Sequence, residues 1–171
     1  LLFFLGAVRD AGAARVTAVI PYLAYARKEA RTQPRDPVTT RYVAQLIEAV
    51  GTDRIVSLDV HNPEAFQNAF RIHAEHLDTA RLFAQHLAPR LADRPRVVVV
   101  SPDPGGFKRA ERLRQALAKH LGHDVELAFM EKIRAKGVLT TGRLVGDVTG
   151  GTVVIVDDII ATGGTLAAAA R

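Results

Sequence analysis

The sequence has 171 residues, of which 48% are hydrophobic, 24% are charged and none is cysteine, and its formal net charge is +5. This composition indicates a globular protein with a buried core and excludes disulfide frameworks and cysteine-ligated metal sites. The lack of cysteine fits a reducing compartment, and we expect a cytoplasmic protein. The apolar runs are too short to span a bilayer, so we expect no membrane partner. The basic residues are dispersed and only 6% of residues are aromatic. That pattern argues against a nucleic-acid partner and suits a small anionic ligand.

Short β-rich segments alternate with helical segments along the chain. The apolar opening, residues 1–8, predicts a buried helix face. The predicted strands are residues 16–20, 54–60, 97–101, 125–130 and 153–156, and the predicted helices are residues 40–50, 64–70, 78–91 and 107–121. Several strands are continuously apolar, as expected of strands covered on both faces. The alternation predicts an α/β fold with mainly parallel sheets flanked by helices.

Two Asx-Pro pairs, Asp36-Pro37 and Asn62-Pro63, predict helix starts, because Asp and Asn cap helices and proline suits the first helical position. Residues 21–37 carry no predicted element. A long polar loop within a compact domain is typically functional or disordered. This one contains four cations, Arg27, Lys28, Arg31 and Arg35. A second irregular stretch is predicted at residues 131–142.

The most specific motif follows the last predicted strand. Two adjacent acids, Asp157 and Asp158, can accept hydrogen bonds from vicinal sugar hydroxyls. Glycines after them let the backbone approach an anion closely, and backbone N–H groups, hydroxyls and a helix N-terminus can then hold a phosphate. The phosphate-binding candidates are Thr162, Gly163, Gly164 and Thr165. A capped turn alone would explain these four residues but not the acids before them.

This motif resembles the phosphoribosyl-binding loop of the type I phosphoribosyltransferase family. That family includes transferases that consume phosphoribosyl pyrophosphate and ribose-phosphate diphosphokinases that make it. Further segments resemble the diphosphokinases, in the family order, and simple transferases lack them. These segments are residues 21–27 (Pro-Tyr-Leu-Ala-Tyr-Ala-Arg), 35–39 (Arg-Asp-Pro-Val-Thr), 58–61 (Leu-Asp-Val-His), 101–106 (Ser-Pro-Asp-Pro-Gly-Gly) and 132–134 (Lys-Ile-Arg). The chain therefore resembles a ribose-phosphate diphosphokinase.

The resemblance implies transfer of the diphosphoryl group of ATP to the C1 hydroxyl of ribose 5-phosphate, with Mg²⁺. The implied catalytic residues are Lys132, Arg134 and His61. The implied ATP-binding residues are Arg27, Lys28 and His61, and the implied metal-binding residues are His61 and Asp103. The implied residues for ribose 5-phosphate are Asp157 and Asp158 at the hydroxyls, and Thr162, Gly163, Gly164 and Thr165 at the phosphate.

The resemblance also implies two similar domains and a homo-oligomer, a dimer or larger. Residues 1–77 would be the C-terminal part of the first domain, and residues 78–171 most of the second, truncated at its C-terminus. The chain does not begin with Met and stops within an alanine-rich run. We therefore expect it to be a piece of a longer protein.

Three departures from the family pattern leave alternatives open. Ala161 stands where a third acid is typical, Lys28 replaces a glutamine, and Ile133 replaces the middle cation of the flexible loop. They leave open a non-catalytic, regulatory family member, and the shared sugar loop leaves open a phosphoribosyltransferase. The retained Lys132 and Arg134 favour the diphosphokinase.

Overall fold

The computed structural model describes residues 1–135 and 138–170 of the chain. The chain divides into two compact units, Leu1–Asp78 and Thr79–Arg171. Each unit has its own sheet and its own buried apolar core. The interpretation of the two units as parts of similar domains stays a prediction.

The first unit contains a three-stranded parallel sheet with strand order β1-β2-β3. Buried Ile55 lies in the central strand, where it pairs with Ala18 on one side and Ala74 on the other. The elements of the unit are α1 (Leu2–Asp10), β1 (Thr17–Ile20), α2 (Thr39–Ala49), β2 (Arg54–Leu58), α3 (Pro63–Ala69) and β3 (His73–Leu77).

Three features of the first unit differ from the sequence-based expectation. α1 has a buried face as predicted, because Leu5 is buried and Leu2 and Val8 pack against the core, but the face is narrower than expected: Phe3 and Phe4 are 95% and 70% exposed. β3 was not predicted, because its polar sequence lacks an apolar strand signal and it depends on pairing with β2. α2 begins after Val38 without a side-chain cap. The predicted capping role of Asp36 is therefore wrong, whereas Asn62 caps α3 as predicted.

The second unit contains a four-stranded sheet with strand order β6-β5-β4-β7. Its central strand β4 is parallel to β5 and to β7, and all five residues of β4 are buried. The elements are α4 (Ala80–Leu91), β4 (Val97–Ser101), α5 (Phe107–Leu121), β5 (Glu126–Ala135), β6 (Val138–Val145), β7 (Thr152–Ile155) and α6 (Gly164–Ala169). The structure confirms the predicted α/β class with mainly parallel strands.

The prediction that residues 131–142 are irregular is wrong for residues 131–135 and 138–142, which form strands; residues 136 and 137 lie outside the described residues. β5 continues to Ala135 and β6 starts at Val138, and the two strands pair antiparallel with an irregularity between Glu131 and Ile133. The cations and glycines of this segment gave no strand signal, and pairing between the two strands supplies the order instead. Among the described residues, no helix is both long and apolar enough to cross a membrane.

Candidate active site

The candidate sugar site lies at the carboxyl edge of the second unit's sheet. β4 and β7 are parallel neighbours, so the loops that follow them emerge at the same edge. Asp103 follows β4, and Asp157 and Asp158 follow β7. A backbone hydrogen bond of 3.1 Å from Val156 N to Val100 O continues the pairing as far as the first acid. The topology therefore brings three predicted site carboxylates to one edge.

Arg109, near the start of α5, lies between the two acids that follow β7. One guanidinium nitrogen lies 3.8 Å from Asp157 Oδ1 and another 3.8 Å from Asp158 Oδ2. The side chains of Arg109, Asp157 and Asp158 are only 14%, 17% and 6% exposed. The contacts are longer than hydrogen bonds, so Arg109 balances the charge of both acids without saturating their oxygens.

Sequence analysis gave Arg109 no role, and the structure places it beside the two predicted sugar-site acids. The available signal was a cation three residues after the Gly105-Gly106 turn, on the first turn of a predicted helix. Spacing alone did not show which loop that cation faces. That depends on the packing of α5 beside β4.

The pKa of Asp157 is raised above its ordinary value. The first cause is burial, followed by the carboxylate of Asp158 and, at longer range, that of Asp103, while the backbone N–H of Asp158 acts in the opposite direction. A largely buried carboxyl group crowded by two others favours any ligand that supplies hydrogen-bond donors or positive charge. The electrostatics therefore suit a polyhydroxylated ligand accompanied by a cation.

The loop after these acids ends in a turn that requires glycine. Gly163 has a φ of +75°, in the left-handed region, and the Gly164 N–H donates to Thr162 Oγ1 at 3.4 Å. Thr162 is exposed, so its hydroxyl is accessible from solvent. The side chain of Thr165 lies outside the described residues, and its predicted contact with a phosphate stays a prediction.

Asp103 is held by a tight turn built from its neighbours. Ser101 Oγ donates to Asp103 O at 2.6 Å, and the Gly106 N–H donates to Asp103 Oδ1 at 3.0 Å. A Cβ added at Gly106 would lie 2.5 Å from Ser101 Oγ, which explains the need for glycine there. The ring of Phe107, next in the chain, packs edge-to-face on Phe129 of β5 at 5.7 Å. The turn thus fixes the Asp103 carboxylate at the sheet edge.

The other predicted residues with described side chains lie in the first unit, also beyond strand carboxyl ends. Arg27 and Lys28 lie in the loop after β1, and His61 lies three residues after β2. The two strand ends are tied together because Ser57 Oγ donates to Ile20 O at 2.8 Å and Leu58 N donates to Pro21 O at 3.2 Å. Arg27 and His61 are exposed.

Lys132 and Arg134 lie on β5, in the part that pairs with β6. Arg134 is opposite Leu139 in the register of this hairpin. The side chains of both cations lie outside the described residues, so their predicted clamp role stays a prediction. Within the described parts of the chain, no group of three or more His, Cys, Asp or Glu residues is placed to hold a metal ion.

Comparison with protein families matches two models along the chain. Residues 1–51 match the N-terminal domain of ribose phosphate pyrophosphokinase, and residues 68–171 match the phosphoribosyl transferase domain. The chain belongs to the ribose-phosphate pyrophosphokinase family. This result confirms the family suggested by the sequence motifs, ribose-phosphate diphosphokinase being the same activity by another name.

Individual pyrophosphokinases align with nearly the whole chain. Those named ribose-phosphate pyrophosphokinase from Staphylococcus epidermidis and Granulibacter bethesdensis are 39% and 41% identical, over 100% and 99% of this chain. A crystal structure of phosphoribosylpyrophosphate synthetase from Mycobacterium smegmatis covers 98% of this chain at 38% identity, with a TM-score of 0.84. The chain spans about half the length of these relatives, 52% and 53% for the two curated pyrophosphokinases and 52% for the crystal structure.

Proposed function

We propose that the protein containing this chain is a ribose-phosphate diphosphokinase. It transfers the diphosphoryl group of ATP to the C1 hydroxyl of ribose 5-phosphate, giving phosphoribosyl pyrophosphate and AMP for nucleotide biosynthesis. The observation that carries the proposal is the contact of Arg109 with Asp157 and Asp158, the two acids that precede the Gly163-Gly164 turn, in a chain of this family. We further propose a cytoplasmic homo-oligomer, a dimer or larger.

The sugar end of the substrate accounts for the acids and the glycine turn. Asp157 and Asp158 accept hydrogen bonds from the two vicinal ribose hydroxyls, which relieves the crowding of their negative charges. The 5-phosphate binds the loop that follows, where Gly163 lets the backbone N–H groups approach closely. The residues proposed for this phosphate site are Thr162, Gly163, Gly164 and Thr165.

The Asp103 carboxylate at the sheet edge suits a magnesium ion that takes few protein ligands. Mg²⁺ prefers a few carboxylate oxygens and completes its shell with waters and substrate phosphates, and the Asp103 carboxylate is a hard oxygen donor fixed by its turn. The raised pKa of Asp157, to which Asp103 contributes, favours an added cation nearby. We propose Asp103 and His61 as the metal-binding residues. The metal would neutralise charge on the transferring phosphates.

The nucleotide end calls for cations around the polyphosphate. Phosphoryl transfer requires aligned reactants and neutralised charge more than covalent help from the protein. We propose that Arg27 and His61 contact ATP, that Lys28 belongs to the same nucleotide-binding loop, and that Lys132 and Arg134 hold the phosphates during transfer. With His61, the last two form the proposed catalytic set.

The test uses the complete protein, of which this chain is a part. It would be incubated with ribose 5-phosphate, ATP and Mg²⁺, and AMP and phosphoribosyl pyrophosphate would be quantified. We expect stoichiometric formation of both products. The Lys132→Ala/Arg134→Ala variant should lose roughly 10²–10³-fold in kcat, the loss typical of removing charge-stabilising groups.

A second pair of variants tests the sugar site. Arg109→Met should raise the KM for ribose 5-phosphate about tenfold, because Asp157, whose pKa is already raised, loses its counter-charge and shifts toward the protonated form, which accepts fewer hydrogen bonds. Lys108→Met, which removes an exposed cation one residue away, should leave that KM unchanged. Ribose 5-phosphate binding without any AMP formation would overturn the proposal and favour a regulatory family member. Release of pyrophosphate from phosphoribosyl pyrophosphate and a nucleobase would instead favour a phosphoribosyltransferase.

A further inference from the structure

The loop between β1 and α2 is closed on itself by a single carboxylate. Asp36 Oδ2 accepts hydrogen bonds from Lys28 Nζ at 2.7 Å, Thr32 Oγ1 at 2.7 Å, Thr32 N at 3.1 Å and Gln33 N at 3.0 Å. Lys28 Nζ also donates to Thr32 Oγ1 at 2.9 Å. The Lys28 ammonium is therefore bonded twice within its own loop.

The base of the same loop is anchored in the unit's core. Leu23 and Ala26 are buried in it, and buried Thr40, at the start of α2, donates through Oγ1 to Tyr25 O at 2.8 Å. The Thr40 N–H lies 3.4 Å from Lys28 O. These contacts fix the start of the loop, whereas Asp36 fixes its far end to Lys28.

The arginines of this loop are more exposed to solvent than Lys28. Arg27, Arg31 and Arg35 are exposed, whereas Lys28 and Asp36 are half-buried, with side chains 34% and 25% exposed. Arg35 has a φ of +69°, in the left-handed region that a non-glycine residue seldom adopts. Asp36, which follows it, is held by its four hydrogen bonds, so Arg35 depends on these bonds to keep that conformation.

We propose that the Lys28–Asp36 ion pair is a positioning device that holds the 27–36 loop in the shape that presents its arginines to an anionic polyphosphate. The inference rests on the proposed function, because it names the nucleotide as the ligand of this loop. Lys28 then acts on nucleotide binding through the loop and makes no contact with the phosphates itself. In this chain a lysine stands where the family pattern has glutamine, and the structure gives its charge an internal partner.

Lys28 could instead contact the phosphates directly. Direct contact and positioning of the loop predict different changes in ATP binding when Asp36 is replaced, so the two roles can be distinguished. If Lys28 reached the nucleotide, removing Asp36 would release a cation toward it, and ATP binding would be unchanged or stronger. If the pair positions the loop, removing either partner weakens ATP binding to a similar extent. The double variant is then little worse than each single one.

The experiment is a double-mutant cycle in the complete protein, with Lys28→Met, Asp36→Asn and both together. We expect each single change to raise the KM for ATP roughly tenfold, the scale of losing a charge-assisted hydrogen bond. The double variant should show about the same rise, and kcat and the KM for ribose 5-phosphate should change less than about twofold. Lys28→Arg, which keeps the charge, should restore most of the affinity. Lys119→Met, an exposed lysine on α5, is the matched control.

Proteolysis without ligand tests the device independently of the proposed activity. An arginine-specific protease should cut after Arg31 faster in Lys28→Met and Asp36→Asn than in the parent or in Lys119→Met, because the loop loses its closure. An inactive parent with this cleavage pattern would contradict the proposed function and leave the positioning role supported. Unchanged cleavage, or an Asp36→Asn variant with unchanged or lower KM for ATP, would overturn the positioning role.

Discussion

Asp157 is the residue at which binding chemistry conflicts most clearly with stability. Its carboxyl group is largely buried, next to Asp158 and within electrostatic reach of Asp103, and its pKa is raised for these reasons. Arg109 offsets part of the repulsion at 3.8 Å. Such an arrangement is unfavourable in the empty site and is relieved when a ligand supplies donors or positive charge. The same property that destabilises the fold therefore favours binding of the proposed ribose ligand.

The upward direction of this pKa shift predicts that a neutral side chain at position 157 stabilises the fold. Because the pKa in the folded state lies above the ordinary 3.8, the folded state binds this proton more tightly than the unfolded state. Stability therefore falls as pH rises through the interval above 3.8. We expect Asp157→Asn to raise the melting temperature at pH 7 without Mg²⁺ by about 3 °C, equivalent to roughly 1 kcal/mol. Its affinity for ribose 5-phosphate should fall about tenfold.

Thermal unfolding followed by circular dichroism at pH 7 and at pH about 3 checks this expectation. At the lower pH the parent carboxyl is protonated in both states, so the difference between parent and variant should shrink. Asp93→Asn, at an exposed position beyond α4, controls for the substitution itself. A lower melting temperature of Asp157→Asn at pH 7 would show that the contact with Arg109 outweighs the crowding.

The hairpin of β5 and β6 carries the proposed phosphate clamp, and one glycine permits its pairing. A Cβ at Gly142 would fall on the carbonyl oxygen of Glu131, deep inside van der Waals contact. We expect Gly142→Ala to distort the hairpin and lower kcat at least tenfold, since a displaced catalytic group costs rate steeply. Gly6→Ala is the matched control, because its Cβ would meet only Val50 Cβ at 4.0 Å and alanine favours the helix.

Steady-state kinetics and circular dichroism of the complete protein separate the two consequences of Gly142→Ala. A loss of kcat with the melting temperature within a few degrees of the parent would place the effect in the hairpin. Full activity of the variant together with a circular dichroism spectrum that shows lost strand structure would mean that catalysis does not depend on where the hairpin holds Lys132 and Arg134. That result would contradict their proposed role as a positioned clamp.

The elements that sequence could predict are those whose signals are local. β4 is a continuous apolar run, and α5 has its bounds where expected, with buried Ala110, Leu113 and Leu117 at helical spacing and a left-handed Gly122 at its end. β3, β6 and the second half of β5 were missed because pairing with a neighbouring strand stabilises them. α1 was predicted as a helix, but local periodicity could not show which of its faces would be covered.

The same distinction applies to the site. Asp157 and Asp158 were predicted because adjacent acids before a glycine turn have few structural explanations, and the topology brings them to the sheet edge with Asp103. Arg109 was missed because its role arises from contact between α5 and a loop about 50 residues further along the chain. The bonding of Lys28 with Asp36 was missed because both charges appeared available to a ligand in the sequence.

Across the described residues of both units, hydrogen bonds hold most of the carboxyl groups with shifted pKa values in their charged form. Donors on cations or on backbone N–H groups lower the pKa values of six described carboxyl groups, three in each unit. They are Asp36, Asp53 and Glu75 in the first unit, and Glu111, Glu126 and Asp147 in the second. The pKa of Asp147 is lowered to about 2, first by Thr149 and then by Arg96. Asp157 shifts in the opposite direction.

The balance of these shifts predicts acid sensitivity in both units. For a carboxyl group with a lowered folded-state pKa, stability is present above the ordinary value and is lost as pH falls through the folded value. Six such groups outweigh Asp157, so we expect the melting temperature to fall by several degrees between pH about 5 and about 2.

Arg96→Met should reduce part of this fall in melting temperature, because Arg96 holds Glu126 and Asp147 in their charged forms. The matched Arg81→Met, at an exposed position on α4, should follow the parent. A melting temperature that rises toward pH 3 would show instead that repulsion among the site acids dominates the electrostatics of the whole protein.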